Sequence, residues 1–287
     1  MSFVPSYAVL VLVQAGLVLV PARPRRFGSS RLLGIAIPVA AIVLGVSLSQ
    51  VAGGADFLTA LAAFATPVLA GGAGWARGWQ RPWLPVLAVP PLYALAWLRP
   101  DALDGQAAGL ILIAGACLAV TGVVAGLAPR SWLVAGLVAL VILDVVLVWG
   151  DRQVEPAMNA LQAAVPPTVG RPLPSLQQVE LGSATMGWLD LAAPALLGLL
   201  VAKRLRAAFV TGLAAGAWGL LLLATSPIAA TPPVLAGLAA GWSFSPFRRR
   251  WRGEPESPRG APAPAGRAAP AARGTPALPR SSRRLLS

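Results

Sequence analysis

Asp144 and Asp190 each stand inside an apolar run with no other charge, 132–150 (WLVAGLVALVILDVVLVWG) and 182–202 (GSATMGWLDLAAPALLGLLVA). An ionised carboxylate is costly in hydrocarbon, so one retained there faces protein or water and is a candidate for function. Asp144 lies six residues before the end of its run, and Asp190 eight residues after the start of the next. In antiparallel helices both would sit roughly 10 Å below the same membrane face. Two carboxyls held together at low dielectric do not both ionise, so one serves as base while the other keeps its proton. Such a pair can deprotonate a water for attack on a peptide carbonyl, polarise that carbonyl and protonate the leaving nitrogen.

What the chain lacks narrows the chemistry further. It contains no histidine, which removes HExxH zinc proteases and every Ser-His or Cys-His nucleophile system. Cys117 is the only cysteine, so no disulfide or thiolate cluster forms within one chain; at mid-span it reads as a small buried hydrophobe. Lys203 is the only lysine and stands beside Arg204 and Arg206, where a topological anchor is expected rather than a general base. A carboxyl pair requires no metal and no organic cofactor, and none is expected.

The elements that must position these groups are apolar helices. Of the 287 residues, 56% are hydrophobic and only 11% charged, with mean hydropathy +0.71, the composition of a polytopic membrane protein. The net charge of +13 does not point to nucleic acid, because the basic residues flank apolar runs or crowd the C-terminus without interleaved aromatics. The abundance of arginine, alanine, glycine and proline suggests a bacterial source. Windows of about 20 apolar residues give nine candidate spans: 3–20, 32–50, 57–74, 83–98, 107–128, 132–150, 182–202, 207–225 and 228–245. The fourth and ninth contain proline pairs, Pro90-Pro91 and Pro232-Pro233, which are expected to interrupt the helical ladder. With the N-terminus outside, Arg23, Arg25, Arg26, Arg31, Arg77, Arg81, Arg130, Lys203, Arg204 and Arg206 fall in the cytoplasm, leaving Arg99, Arg152 and Arg171 outside. The expectation is an all-α, nine-helix, N-out and C-in protein of the cell membrane, with 1–246 forming the transmembrane domain. Residues 247–287, rich in Pro, Ala, Gly and Arg, read as a disordered cytoplasmic tail, whose Arg248–Arg252 cluster would lie against anionic headgroups as a stop-transfer anchor. Gly212-x-x-x-Gly216 and Gly237-x-x-x-Gly241 read as helix packing positions.

The frames around the aspartates carry a resemblance. Ile142-Leu143-Asp144, then Gly187-Trp188-Leu189-Asp190 with Pro194 and Leu196-Leu197 following, then Pro233-Val234-Leu235 occur in that order. This resembles the signal peptide peptidase and presenilin family of intramembrane aspartyl proteases. There, Tyr-Asp lies in the sixth helix, Gly-x-Gly-Asp in the seventh and Pro-Ala-Leu at the head of the ninth. The resemblance covers 132–245, and the expected orientation is that of the signal peptide peptidase branch. It implies that Asp144 and Asp190 are catalytic and that Gly187, Pro233, Val234 and Leu235 contact substrate. The substrates it implies are transmembrane segments or remnant signal peptides. Leu143, Leu189 and Val234 depart from the family's tyrosine, second glycine and alanine. From the residues alone two other readings stay open: a proton-coupled transporter, since paired carboxylates and broken helices also mark ion pathways, and a non-catalytic membrane scaffold.

Overall fold

The computed structural model describes residues 3–24, 30, 32–150, 154–164, 166–169, 171–222 and 231–241. All belong to one compact unit, Met1–Ser243. Residues 247–287, the expected tail, lie outside the described part.

The described chain is mostly helical. Helices α1 (Phe3–Leu19), α2 (Leu33–Ser49), α3 (Gly54–Arg77), α4 (Leu84–Leu98), α5 (Leu103–Leu127) and α6 (Arg130–Val145) follow in order. A π-helical turn, Val146–Gly150, continues α6 directly after Asp144 and Val145, and such turns recur beside functional sites. After α7 (Val154–Ala163) come strands β1 (Thr168–Val169), β2 (Arg171–Pro172), β3 (Gln178–Leu181) and β4 (Ala184–Gly187), then α8 (Trp188–Leu200), α9 (Arg204–Leu222) and α10 (Pro233–Gly241). By length and composition, Gly54–Arg77, Leu103–Leu127 and Arg130–Val148 are able to cross a membrane; α1, α2, α4 and α8 are shorter apolar helices.

Four features differ from the sequence expectation. The run 182–202 is not one helix: its first residues form an antiparallel hairpin, with Gln178 opposite Gly187 and Leu181 opposite Ala184. The two-residue turn Gly182-Ser183 requires φ > 0 at its first position, and Gly182 supplies it at φ 60. Asp190 therefore lies in the first turn of a thirteen-residue helix rather than at mid-span. Second, the 151–181 connection contains α7, the two-stranded sheet of β1 and β2, and strand β3, so the fold is not purely helical. Third, the proline pairs do not interrupt helices as expected. α4 runs through Pro90 and Pro91, and Pro233 is the first residue of α10, where a missing N–H has no helical partner to lose.

The fourth is Arg77, expected as a loop cation. It is fully buried. Gly78, at φ 65, turns the chain at the end of α3 while the Arg77 side chain stays inside the bundle. Its Nε donates to Leu118 O at 3.0 Å, and Nη2 donates to Thr121 Oγ1 at 2.8 Å and Ala195 O at 3.0 Å. The guanidinium fork thus ties α3 to α5 and α8.

α8 is shared by the two hydrophobic clusters that make up the core: one involves α1, α3, α5 and the hairpin, the other α2, α6, α9 and α10. Every residue from Leu191 to Gly198 is buried, so α8 is apolar all round, as an enclosed helix must be. The connections after α1, α3 and α8 meet at one end of the bundle. There Arg23 N donates to Arg77 O at 2.7 Å, Trp79 Nε1 to Pro21 O at 2.9 Å and Arg204 Nη1 to Val20 O at 3.4 Å.

Of the two small-residue pairs, Gly237 and Gly241 sit at a close crossing of α10 on α9. A Cβ on Gly237 would run into Thr211 Oγ1 and come within 3.1 Å of Ala207 O, while one on Gly216 would meet nothing. Gly237→Ala is expected to lower stability by about 1–3 kcal/mol through overpacking. Gly216→Ala should be neutral or stabilise by up to about 1 kcal/mol through helix propensity. Thermal melts of the two variants in one detergent compare them directly; equal melting would contradict the crossing.

Candidate carboxyl pair at the junction of three helices

Asp144 occupies the last turn of α6 and is partly buried. Its Oδ2 accepts two hydrogen bonds from Thr231, from the hydroxyl at 2.7 Å and from the backbone N–H at 3.2 Å. Thr231 is itself buried and lies two residues before α10. The carboxylate thus meets the positive end of that helix's dipole. Asp190 is the third residue of α8, also partly buried. Its Oδ2 accepts the Gly187 backbone N–H at 2.9 Å, the return half of a capping box that satisfies a donor left over at the helix start.

The backbone of Asp190 raises a second accounting question. Its carbonyl would ordinarily accept from the N–H four residues on, but that residue is Pro194, which has none. Gln14, buried in α1, supplies the missing donor: its Nε2 lies 3.1 Å from Asp190 O and 3.3 Å from Met186 Sδ. On the α5 side, Cys117 is fully buried, as expected, and its Sγ–H donates to Trp188 O at 3.4 Å. The first turn of α8 is therefore held from α1, from α5 and by its own hairpin.

Asp144 ends α6 and Asp190 begins α8, and their neighbours Leu143 and Leu189 pack against the same hydrophobic cluster. Among the described residues, each is anchored through Oδ2, and none donates a hydrogen bond to either Oδ1. Gly187 is in direct contact with Asp190. Pro233 and Val234 are buried and Leu235 half-buried at the head of α10, which reaches Asp144 through Thr231. Val234 N donates to Thr231 O and Leu235 N to Pro232 O, both at 3.0 Å, so these two N–H groups are engaged within the helix start. Leu143, Leu189 and Leu235 all pack against one hydrophobic cluster around α6, α8 and α10.

Sequence reasoning missed Gln14 and Thr231. Gln14 is an amide inside an otherwise apolar run, a signal of the kind that singled out the aspartates. Thr231 gave no such signal, since its role depends on a contact 87 residues away. No family model, curated protein or solved structure matches this chain.

The carbonyl that Pro194 leaves without a helical donor makes a sharp test. Gln14→Leu should destabilise the native chain by about 1 kcal/mol, the worth of one buried hydrogen bond. In a Pro194→Ala background, where residue 194 regains its N–H, the same change should cost less. Melting of the four proteins in a double-mutant cycle measures the coupling, and additive effects would sink the assignment.

Proposed function

We propose that the chain is an intramembrane aspartyl protease, with Asp144 and Asp190 sharing one proton and hydrolysing peptide bonds in transmembrane segments or remnant signal peptides. The observation that carries this is the two partly buried carboxyls, each held at one oxygen where α6, α8 and the head of α10 converge. A rigid anchor on one oxygen leaves the other to handle a water or a substrate carbonyl. The ionised carboxyl takes a proton from water as it attacks, and the protonated one polarises the carbonyl and then protonates the leaving nitrogen. Gly187, Pro233, Val234 and Leu235 border this junction and would contact the substrate backbone. Strand β4, which leads straight into α8, supplies non-helical backbone there, which an unwound substrate needs close by.

The same reading has the chain crossing a bacterial cell membrane nine times, N-terminus out, with lipid and single-span substrates as its partners. It rests on the gathering of Arg23, Arg81, Lys203, Arg204 and Arg206 in or beside the connections after α1, α3 and α8, with Arg99 and Arg171 in other connections. Reporter fusions to Gln80 and Lys203 should report the cytoplasm, and fusions after Ser49 and within 154–164 the outside. The reverse pattern would overturn the orientation.

Cleavage of a tagged single-span substrate by the purified chain in proteoliposomes tests the chemistry. It should vanish with Asp144→Asn and with Asp190→Asn, and should fall on both sides of a bell-shaped pH profile, because one carboxyl must be ionised and the other protonated. Leu189→Gly, which removes a branched side chain beside Asp190, should leave the rate unchanged or raise it. A second reading draws on the same hydrogen bonds: both carboxylates accept backbone N–H groups near helix starts, as purely structural caps would. If the native chain cuts nothing while the two Asn variants melt at lower temperature, the aspartates are caps in a membrane scaffold.

A further inference from the structure

Charge is sorted between the two ends of the bundle. The connections after α1, α3 and α8 meet at one end, and the end of α5 joins them, since Ser30 N donates to Leu127 O at 3.0 Å and Arg130 to Leu200 O. Arg23, Arg81, Lys203, Arg204 and Arg206 stand there, with the buried Arg77 beside them. The described acids stand at the opposite end. Asp56, Asp104 and Asp190 lie in the first turns of α3, α5 and α8, and Asp144 in the last turn of α6. Asp101, Glu155 and Glu180 lie in the segments next to those turns.

The positive end is therefore without counter-charge. Among the described residues the one salt bridge is Arg99–Asp104, at the acidic end, and Arg77 bonds only neutral oxygens. Gathered cations repel one another, and an anion from the surroundings relieves that repulsion. A cleft of about 380 Å³ opens among them, and Arg23, Trp79 and Gln80 contribute to its lining. Two bonds set its walls, Trp79 Nε1 to Pro21 O and Arg23 N to Arg77 O. The Arg23 and Gln80 side chains are exposed. Arg204 bonds Val20 O, and Arg23 follows three residues later, at most about 11 Å along the chain.

A second, independent feature says which anion. Trp75, in the last turn of α3, and Trp83, just before α4, are both about half exposed at this same end. Exposed indoles beside apolar helices settle at the headgroup level of a bilayer. The cations thus lie where lipid phosphates are, and a leaflet containing acidic lipid supplies the missing negative charge.

We propose that this end of the bundle binds an anionic phospholipid, its phosphodiester seated in the cleft at Arg23 with Arg204 close by. The site stands whether or not the aspartate pair cuts peptide bonds. It is equally independent of which end faces the cytoplasm, because the test uses membranes with identical leaflets.

The full chain is reconstituted in phosphatidylcholine vesicles carrying a trace of spin-labelled phosphatidylglycerol or spin-labelled phosphatidylcholine. Electron paramagnetic resonance then reads the fraction of each label immobilised by the protein. Phosphatidylglycerol should be held at least about threefold more strongly at low salt, and the preference should collapse near 1 M salt, where screening is nearly complete. Arg23→Gln should lower it at least about twofold and by more than Arg206→Gln, since of the two only Arg23 lines the cleft. Arg99→Gln, at the acidic end, should leave it unchanged. All three residues are exposed, and the salt series on the native chain carries the test if a variant fails to fold. Equal immobilisation of the two lipids, a preference that survives high salt, or equal effects of Arg23→Gln and Arg99→Gln overturns the proposal.

Discussion

The structure depends on how the backbone of one short helix is satisfied. α8 is enclosed on all sides, and in an apolar interior each of its carbonyls must find a donor within the protein. Several of those donors are side chains from other helices. Cys117 of α5 reaches Trp188 O, Gln14 of α1 reaches Asp190 O, Arg77 of α3 reaches Ala195 O, and Arg130, at the start of α6, reaches Leu200 O. Four helices are thereby pinned to one, at points set by hydrogen bonds. Apolar packing alone would not fix such points, because between helices in lipid it has no solvent-driven preference for one register.

The aspartate pair inherits its rigidity from this arrangement. The Asp190 backbone is held by Gln14 and its side chain by Gly187, so neither end of the residue is free to drift. Asp144 is held from α10, an element far along the chain, which makes the geometry of the pair a property of tertiary packing. The same two bonds are what a helix start would ask of any nearby carboxylate. A catalytic role and a capping role therefore use one geometry.

Much of the helical framework was legible in the sequence. The apolar runs expected at 3–20, 32–50 and 83–98 became Phe3–Leu19, Leu33–Ser49 and Leu84–Leu98, because Pro, Gly or Arg follows each run and Arg precedes the second and third. The hairpin inside 182–202 was not legible. Four alternating residues are too few for a period-two signal to stand out from an apolar run, and only Gly182-Ser183 hints at the turn. Arg77 misled because hydropathy counts a charge at a span's end as a loop residue. Its burial depends on the three carbonyl and hydroxyl oxygens that α5 and α8 bring to it. For the site, the aspartates stood out by their isolation among apolar residues, whereas Gln14 mattered because of a proline 180 positions away, a link that only the fold reveals.

The brevity of α4 has a consequence for the surrounding lipid. Its fifteen residues rise only about 22 Å, against a hydrocarbon core of about 30 Å, and Leu84, Leu87 and Leu98 stand exposed on it. Where such an element meets lipid, the bilayer must thin to match it, at a cost that grows with each ångström of mismatch.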